Sequence, residues 1–272
     1  MAPPSTTWTP LAPPFGSTST VTSVSTSPVT GPTFITDSFS GEAAATLLSA
    51  HVGELGATWA KHPFVTGNVR ISSGGSIYHA QGIDGSFYYA SGVSGADYRV
   101  GATVHRLSTH PTGIADVLAR CSTTTDTRYG ARYSSITPGP GWSLYKVVSG
   151  TAAALGVASG ETIAVGSSRS VILEVSGTSV RLYVDGVERV GATDASIALA
   201  GRAGVSLATV VGAQANGDNG LMLDNFFAKD LDSVSTTTTV TVTPGSSWGA
   251  LSGANTPWAN TSGASTAWVP LT

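Results

Sequence analysis

The sequence is poor in cysteine, in lysine and in charged side chains of either sign. Its 272 residues include 1 cysteine, and 11% of them are Asp, Glu, Lys or Arg. The lone Cys121 excludes an internal disulfide and a cysteine-rich zinc site. The formal net charge of −3 gives no electrostatic reason to expect a nucleic-acid partner. No apolar run reaches the roughly 20 residues that a membrane-spanning helix needs, so we also expect no membrane span.

A recognisable secretory signal is lacking as well. Residues 1–15 are rich in proline and contain no basic start followed by a continuous apolar segment. Together with the single cysteine, this predicts synthesis in a reducing cytoplasm.

The chain also lacks the residue patterns of common catalytic sites. Glycoside hydrolysis needs two carboxylates about 5 to 10 Å apart. Among the five glutamates, only Glu188 has a carboxylate within three positions, and that residue, Asp185, belongs to a predicted turn. The Gly-x-Ser-x-Gly match at 245–249 lies in a small-residue tail rather than between a strand and a helix. The histidines show no metal-ligand spacing. We therefore predict no catalytic residues and, from these patterns, no metal site.

The clearest pattern present is an alternation of apolar and polar side chains near residues 171–175 and 180–184. A period of two predicts β-strands. Asp185-Gly186 is a two-residue hairpin signal, because a type I′ turn needs positive φ at both central positions. Gly177 marks a somewhat longer reversal before it. We predict a three-stranded antiparallel meander whose buried face needs a second sheet to cover it.

Further short strands follow the same pattern along the chain. They are predicted at 35–39, 69–71, 87–89, 98–104, 113–121, 129–133, 142–148, 153–155, 203–211 and 221–227. One or two helical turns are predicted at 43–51, where apolar residues fall at helical spacing, and Trp59 is predicted to anchor the core. Around a dozen short strands with regular turns predict an all-β protein, a two-sheet antiparallel sandwich.

The two ends of the chain differ in composition from the middle. Residues 1–33 are rich in Pro, Ser and Thr, and 233–272 combine a Thr/Val run with a segment of small residues. Such segments cannot bury enough apolar surface to fold alone, so we predict extended arms around a folded domain at 34–232. Solvated linkers are the alternative. The side chains predicted to anchor the arms on neighbouring subunits are Trp8, Leu11, Phe15, Trp248, Trp258 and Trp268.

The order of several motifs resembles that of the concanavalin A-like (laminin-G-like) jelly roll. The motifs are Asp37-Ser38-Phe39, Leu55-Gly56-Ala57-Thr58-Trp59, Asp97-Tyr98-Arg99-Val100, Arg120 followed by Tyr129, Trp142-Ser143-Leu144-Tyr145-Lys146, Leu182-Tyr183-Val184-Asp185-Gly186 and Leu223-Asp224-Asn225-Phe226. The similarity covers about residues 33–232 and implies a jelly-roll sandwich. Hydrolases of this fold often carry Glu-x-Asp-x-x-Glu on one strand, and this chain has no such run.

A jelly roll between tryptophan-punctuated arms is similar in organisation to phage virion accessory proteins, particularly minor tail proteins. This resemblance implies a homo-oligomeric virion protein, made in the cytoplasm of a bacterial host. It also implies that the arms bind other virion proteins and copies of the chain, and that the displayed lectin-like domain aids host attachment through surface polysaccharide. The alternative is a carbohydrate-binding module or a secreted glycan-active protein with no virion role.

A glycan site would combine an aromatic platform with planar polar groups at one sheet face or loop rim. The candidates are Tyr129, Arg132 and Tyr133 on one predicted strand, with Asn216, Asp218 and Asn219 at a rim. Trp142 and Tyr145 are further aromatic candidates, although core packing explains them equally well.

The glycine-rich loop at 212–220 is also a candidate calcium site. Asn216, Asp218 and Asn219 place oxygen donors close together on a flexible backbone, as Ca²⁺ requires. Only one of the three is charged, so an ordinary polar loop is the alternative. We predict no other cofactor.

Overall fold

The computed structural model describes residues 18–29, 31–81, 85–92, 95–107, 113–136, 140–209, 220–231 and 233–243. For the first and last of these ranges, the description covers the backbone. The predictions for Trp8, Leu11, Phe15, Trp248, Trp258, Trp268, Asn216, Asp218 and Asn219 lie outside the described residues.

The described residues form β-strands and one short 3-10 helix at Leu48–Ala50. The strands are β1 (Thr18–Val29), β2 (Thr33–Asp37), β3 (Trp59–Lys61), β4 (Asn68–Ile71), β5 (Ile77–Gln81), β6 (Tyr88–Ala90), β7 (Tyr98–Arg106), β8 (Gly113–Cys121), β9 (Arg128–Ser134), β10 (Gly141–Val148), β11 (Thr151–Ser159), β12 (Ser167–Ser176), β13 (Ser179–Val184), β14 (Val187–Thr193), β15 (Arg202–Thr209), β16 (Leu221–Asp230) and β17 (Ser233–Thr243). Within these ranges, no helix is both long and apolar enough to cross a membrane.

Two antiparallel sheets make up the larger part of this structure. The seven-stranded sheet has the order β11-β10-β9-β8-β15-β6-β3. The eight-stranded sheet has the order β14-β13-β12-β7-β16-β5-β4, and β2 also pairs with β16. Apolar side chains of both sheets form one buried cluster. The predicted two-sheet antiparallel sandwich of the jelly-roll class is thereby confirmed.

The terminal segments form a separate unit. The larger unit contains Ser27–Ser235, and the smaller one contains Ala2–Thr26 and Thr236–Thr272. Its described part is a two-stranded sheet in which β1 pairs with β17. In this sheet, a strand of each predicted arm supplies backbone hydrogen-bonding partners to the other arm. The predicted binding of the arms to neighbouring subunits stays a prediction.

The meander predicted from alternation is present as β12, β13 and β14. Asp185 and Gly186 have φ values of 49° and 77°, the positive values that a type I′ turn requires. The reversal at Gly177 is equally tight, because Ser176 pairs directly with Ser179, so the prediction of a longer turn there is wrong. Gly177 itself has a φ of 55°, which a residue without Cβ adopts at little cost.

Alternate side chains of the meander fill the space between the sheets. The buried residues are Val171, Leu173, Val175, Val180, Leu182 and Val184, and they meet Tyr129, Ala131, Tyr133, Trp142 and Leu144 of the seven-stranded sheet. Each fully buried large apolar side chain contributes about 1.5 to 3 kcal/mol relative to exposure. Because the period of two places all of these apolar side chains on one face of the meander, that face needs a second sheet to cover it.

The helix predicted at 43–51 is wrong except for the 3-10 turn at Leu48–Ala50. The backbone before that turn is used in pairing with the end of β4. Ala45 donates its N–H to Ile71 O at 2.8 Å, and Ile71 donates to Thr46 O at 2.9 Å. These backbone groups are therefore not free to make the hydrogen bonds of an α-helix.

A buried ion cluster lies beside Trp59, whose predicted place in the core is confirmed. Asp37 is fully buried and accepts hydrogen bonds from Trp59 Nε1 at 2.6 Å and from the N–H of Phe39 at 2.8 Å. His51 Nε2 lies 2.9 Å from Asp37 Oδ1, and His51 Nδ1 lies 3.0 Å from Glu42 Oε1. Burial lowers the pKa of His51, but the hydrogen bonds to Glu42 and Asp37 outweigh it and the pKa is raised. The doubly protonated ring satisfies both carboxylates.

This cluster predicts a pH-dependent contribution to stability. Because the folded-state pKa of His51 is raised above its ordinary value of 6.5, the stabilisation is complete below that value. It is lost as the pH rises through the folded-state pKa. We expect the free energy of unfolding of the wild type to exceed that of His51→Gln most at about pH 5.5 and least at about pH 9.

Urea unfolding of both proteins at constant ionic strength measures this difference. His62, whose pKa is lowered by burial and by the positive charge of Arg128, titrates in both proteins and cancels. A difference that stays constant over this pH range would contradict the role assigned to His51.

Candidate functional site

Successive side chains of β9 point alternately into the core and toward the outer face of the seven-stranded sheet. Tyr129 and Tyr133 point inward and are fully buried, whereas Arg132, three residues after Tyr129, points outward. Tyr129 Oη donates to Asp194 Oδ1 at 2.7 Å, and Tyr133 Oη accepts the N–H of Ile163 at 2.9 Å. Burial, with the hydrogen bond to Asp194, raises the pKa of Tyr129 to about 12.

The prediction that Tyr129 and Tyr133 form a glycan platform is therefore wrong. Both rings pack between the sheets, where a sugar cannot reach them. Trp142 lies opposite Tyr133 in the β9–β10 register and is buried in the same layer. Of the predicted site residues that the structure describes, Arg132 and Tyr145 lie on the outer face of the sheet, and Arg132 is the more exposed of the two.

Arg132 belongs to a hydrogen-bonded network on this outer face. Its Nε and Nη2 donate to Asp116 Oδ1 and Oδ2 of β8, both at 2.9 Å. Tyr145 Oη of β10 donates to Asp116 Oδ2 at 2.7 Å, and Arg132 Cζ lies 4.4 Å from the centroid of the Tyr145 ring. Asp116 is 0% exposed, so Arg132 neutralises a fully buried charge in a bidentate pair.

The protonation states of this network follow from burial and charge. The negative charge of Asp116 raises the pKa of Arg132, so the guanidinium stays protonated. Burial, and then the charge of Asp116, raise the pKa of Tyr145, which therefore remains a hydrogen-bond donor. Arg132 is thus held in one orientation by an ion pair and a ring.

Gly130 allows this network to cross three strands. Tyr145 on β10 faces Gly130 on β9, and its ring lies over that glycine to reach Asp116 on β8. A Cβ atom at position 130 would lie inside the van der Waals contact distance of the Tyr145 ring. The glycine therefore supplies the space in which the tyrosine hydroxyl meets the buried carboxylate.

A pocket of about 540 Å³ opens beside Arg132. Its lining includes Phe64, Phe87, Arg128, Arg132 and Ser206. Phe64 lies in the loop between β3 and β4 and is 65% exposed, which leaves its ring open to a ligand. The ring of Phe87 at the base is covered by the Arg128 guanidinium at 4.5 Å and by a stacked His62 at 4.5 Å.

The strands of the seven-stranded sheet carry a single acidic side chain. Asp116 is the only carboxylate on the seven strands of this sheet, and Arg132 already neutralises it. A pair of carboxylates across a cleft, which glycoside hydrolysis needs, is not found on these described strands. In the described part of the chain, no group of three or more His, Cys, Asp or Glu side chains could hold a metal ion.

Comparison with known proteins shows the fold. No protein-family model matches the sequence, and no curated protein matches it. The structure is similar to the carbohydrate-binding module CBM66 from Bacillus subtilis, with a TM-score of 0.50 and 16% identity over 63% of this chain and 95% of that one.

Two further solved structures have the same sandwich. The β-glucanase of Bacillus licheniformis gives a TM-score of 0.50 with 13% identity, over 74% of this chain and 99% of that one. A protein with a galectin-like fold from Bacillus subtilis gives 0.51 with 9% identity, over 75% and 98%. At these identities the similarity is one of fold, and it supports the two-sheet jelly-roll sandwich that the sequence motifs indicate.

Two residues of the site, Asp116 and Phe64, were not predicted from the sequence. Asp116 carries a signal in the sequence, since an acid inside the apolar strand of β8 must find a cationic partner when it is buried. Phe64 carries none, because a phenylalanine in a loop has the same local sequence whether its ring is covered or open. Its exposure depends on where the loop between β3 and β4 lies.

The ion pair predicts a non-additive effect on stability. Replacing Arg132 by Met leaves the buried Asp116 charge without a partner, and we expect a loss of about 3 kcal/mol in the free energy of unfolding. In the double variant Arg132→Met with Asp116→Leu, the unpaired charge is removed, so the loss should be smaller than in the single variant.

Urea unfolding of the wild type, both single variants and the double variant measures this coupling. Arg169→Met is the matched control. Because the Arg169–Asp185 pair is exposed, its loss should lower the free energy of unfolding much less. Equal losses for Arg132→Met and Arg169→Met, or additive losses in the double variant, would contradict the network.

Proposed function

We propose that the domain binds a glycan in the pocket on the outer face of the seven-stranded sheet. The observation that carries this proposal is the combination of an exposed aromatic ring, Phe64, with a fixed guanidinium, Arg132, at one pocket. Carbohydrate ligands need both an apolar surface and directed polar groups.

Phe64 supplies the apolar surface. One face of a pyranose ring presents C–H groups, which pack on an aromatic ring and remove it from water. An open phenylalanine at the rim of a pocket is therefore unfavourable for the free protein and favourable once a sugar covers it. The ring of Phe87 below is already covered by Arg128 and His62, so it shapes the base of the pocket.

Arg132 supplies the directed donors. A guanidinium has five N–H groups, and the bidentate pair with Asp116 uses one on Nε and one on Nη2. The remaining N–H groups can donate to sugar hydroxyl oxygens. Because Asp116 and Tyr145 already fix the orientation of Arg132, little side-chain entropy is lost when a ligand binds.

The fold supports the same class of ligand. A carbohydrate-binding module is among the structures that share this sandwich. That protein is 16% identical to this chain, so the pocket and not the likeness carries the proposal.

Substitution of Phe64 tests the proposal. We expect Phe64→Ala to weaken the binding of a host-envelope glycan about tenfold, because the stacked ring is lost. The folded state should be unaffected, since the side chain is mostly exposed.

A glycan array with the full-length chain identifies the ligand, and isothermal titration then compares the variants. Leu199→Ala is the matched control, because Leu199 is a large exposed apolar residue outside this pocket. Equal affinity of Phe64→Ala and wild type, or no glycan bound at millimolar concentration, would refute the proposal.

The particle setting proposed from the sequence remains a proposal. We infer from the organisation of the chain that it is a phage virion protein, a minor tail or surface accessory protein. The support is the glycan-binding candidate domain flanked by two polar segments, one with Trp8 and the other with Trp248, Trp258 and Trp268. Because β1 pairs with β17, both segments contribute to one two-stranded ribbon. This is consistent with attachment of both segments to the same partner.

Removal of residues 244–272 tests this setting. We expect the shortened protein to be missing from purified particles, as measured by mass spectrometry, while it still binds the glycan found for the full chain. A full-length protein that is absent from particles would instead favour a carbohydrate-binding module or secreted glycan-active protein without a virion role.

A further inference from the structure

The pocket on the outer face of the seven-stranded sheet has basic side chains in its lining and, among the described residues, no acidic one. The basic residues are Arg128 and Arg132, which lie four positions apart on β9, so the period of two places both on the outward face. Gly130 lies between them and is covered by the ring of Tyr145. A strand rises about 3.3 Å per residue, so the Cα atoms of the two arginines are roughly 13 Å apart.

The carboxylates that pair with these arginines do not line the pocket. Asp116, the partner of Arg132, is fully buried. Asp126, the partner of Arg128, lies in the turn between β8 and β9. In both ion pairs, the positive member is therefore the one at the pocket. An anionic group in the pocket lies closer to a guanidinium than to either carboxylate, so the attraction exceeds the repulsion.

Arg132 has one edge available for a second carboxylate. A guanidinium offers two pairs of N–H groups that a carboxylate can bridge, one formed by Nε with an Nη atom and one formed by the two Nη atoms. Asp116 occupies the first pair, through Nε and Nη2. The second pair, which is Nη1 with the other N–H of Nη2, is not used by this ion pair. Because Arg132 is 32% exposed and lines the pocket, this edge is the one that a ligand can reach.

Arg128 supplies a second positive charge to the same pocket. Its guanidinium lies 4.5 Å from the centroid of the Phe87 ring, and its side chain is 13% exposed. His62, which is stacked on the other aromatic contact of this ring, senses the charge: burial and then Arg128 lower the pKa of His62. A cation that is largely shielded from water keeps more of its field than one on an open surface.

We propose that the glycan bound in this pocket carries carboxylates, as a polysaccharide of uronic acid units does. This inference rests on the function proposed above and names the class of its ligand. One carboxylate accepts hydrogen bonds from the Nη1–Nη2 edge of Arg132, while Phe64 packs on a sugar ring. Arg128 attracts a carboxylate further along the polysaccharide. The planar edge of Arg132 matches a carboxylate, which a neutral sugar hydroxyl cannot bridge in the same way.

Removal of the ligand charge tests this inference without changing the protein. The probes are oligosaccharides of polygalacturonate and of alginate, each compared with the same oligosaccharide after its carboxylates have been reduced to hydroxymethyl groups. We expect the full-length chain to bind at least one acidic probe, and reduction of that probe to weaken binding at least about tenfold. Raising the salt concentration from about 0.05 M to about 0.5 M should weaken binding of the acidic form only.

Variants of the two arginines test the residues. Arg132→Lys keeps a positive charge beside Asp116 but lacks the second pair of N–H groups, so we expect it to bind the acidic probe about tenfold more weakly. Arg128→Gln should weaken the acidic probe about fivefold and leave the reduced probe unchanged. Arg169→Gln is the matched control, because Arg169 lies on β12 of the other sheet, outside this pocket.

The outcomes separate this inference from the proposed function. Equal affinity for an acidic probe and its reduced form would overturn the inference, and so would a chain that binds neutral glycans but neither acidic probe. In both cases the proposed function stands if Phe64→Ala still weakens the binding that is seen. If neither these probes nor any glycan on the array is bound, both proposals fail. Equal weakening by Arg128→Gln and Arg169→Gln would contradict the role of Arg128.

Discussion

The packing of one sheet on the other is the constraint on which the rest of the structure depends. Successive side chains of a strand point to opposite faces of a sheet, so the outer face receives only the positions that do not point into the core. On β9, this rule assigns Tyr129 and Tyr133 to the interior and Arg132 to the pocket. The same backbone thus supplies core side chains on one face and part of the lining of the proposed glycan pocket on the other.

Two buried carboxylates show how the sandwich handles charge. Asp37 lies at the edge of the core and is satisfied by Trp59, Phe39 and a protonated His51. Asp116 lies on the outer face and is satisfied by Arg132 and Tyr145. The first cluster includes His51, whose pKa is raised because its hydrogen bonds to Glu42 and Asp37 outweigh the effect of burial, so its contribution varies with pH. The guanidinium of the second stays charged.

The strength of the second network also makes it a suitable base for recognition. A guanidinium fixed from behind by a carboxylate and from the side by an aromatic ring keeps its free donors in place. Phe64, by contrast, is carried by a loop, and its ring contacts the buried ring of His62 at 5.2 Å between centroids. In the proposed site, Arg132 on a strand would orient the ligand, and Phe64 on a loop would add apolar contact.

The sequence by itself determined the class of fold, most of the strands and the hairpin at Asp185-Gly186, because period-two alternation and turn chemistry are local properties. It misjudged 43–51, where helical spacing is overridden by backbone pairing with β4. It identified Arg132 as a candidate site residue, but it did not show that Arg132 points outward while Tyr129 and Tyr133 are buried. Only the tertiary structure decided which face of β9 meets the second sheet, that Asp116 on a neighbouring strand is the partner of Arg132, and that Phe64 stays open, since each depends on segments distant in the chain.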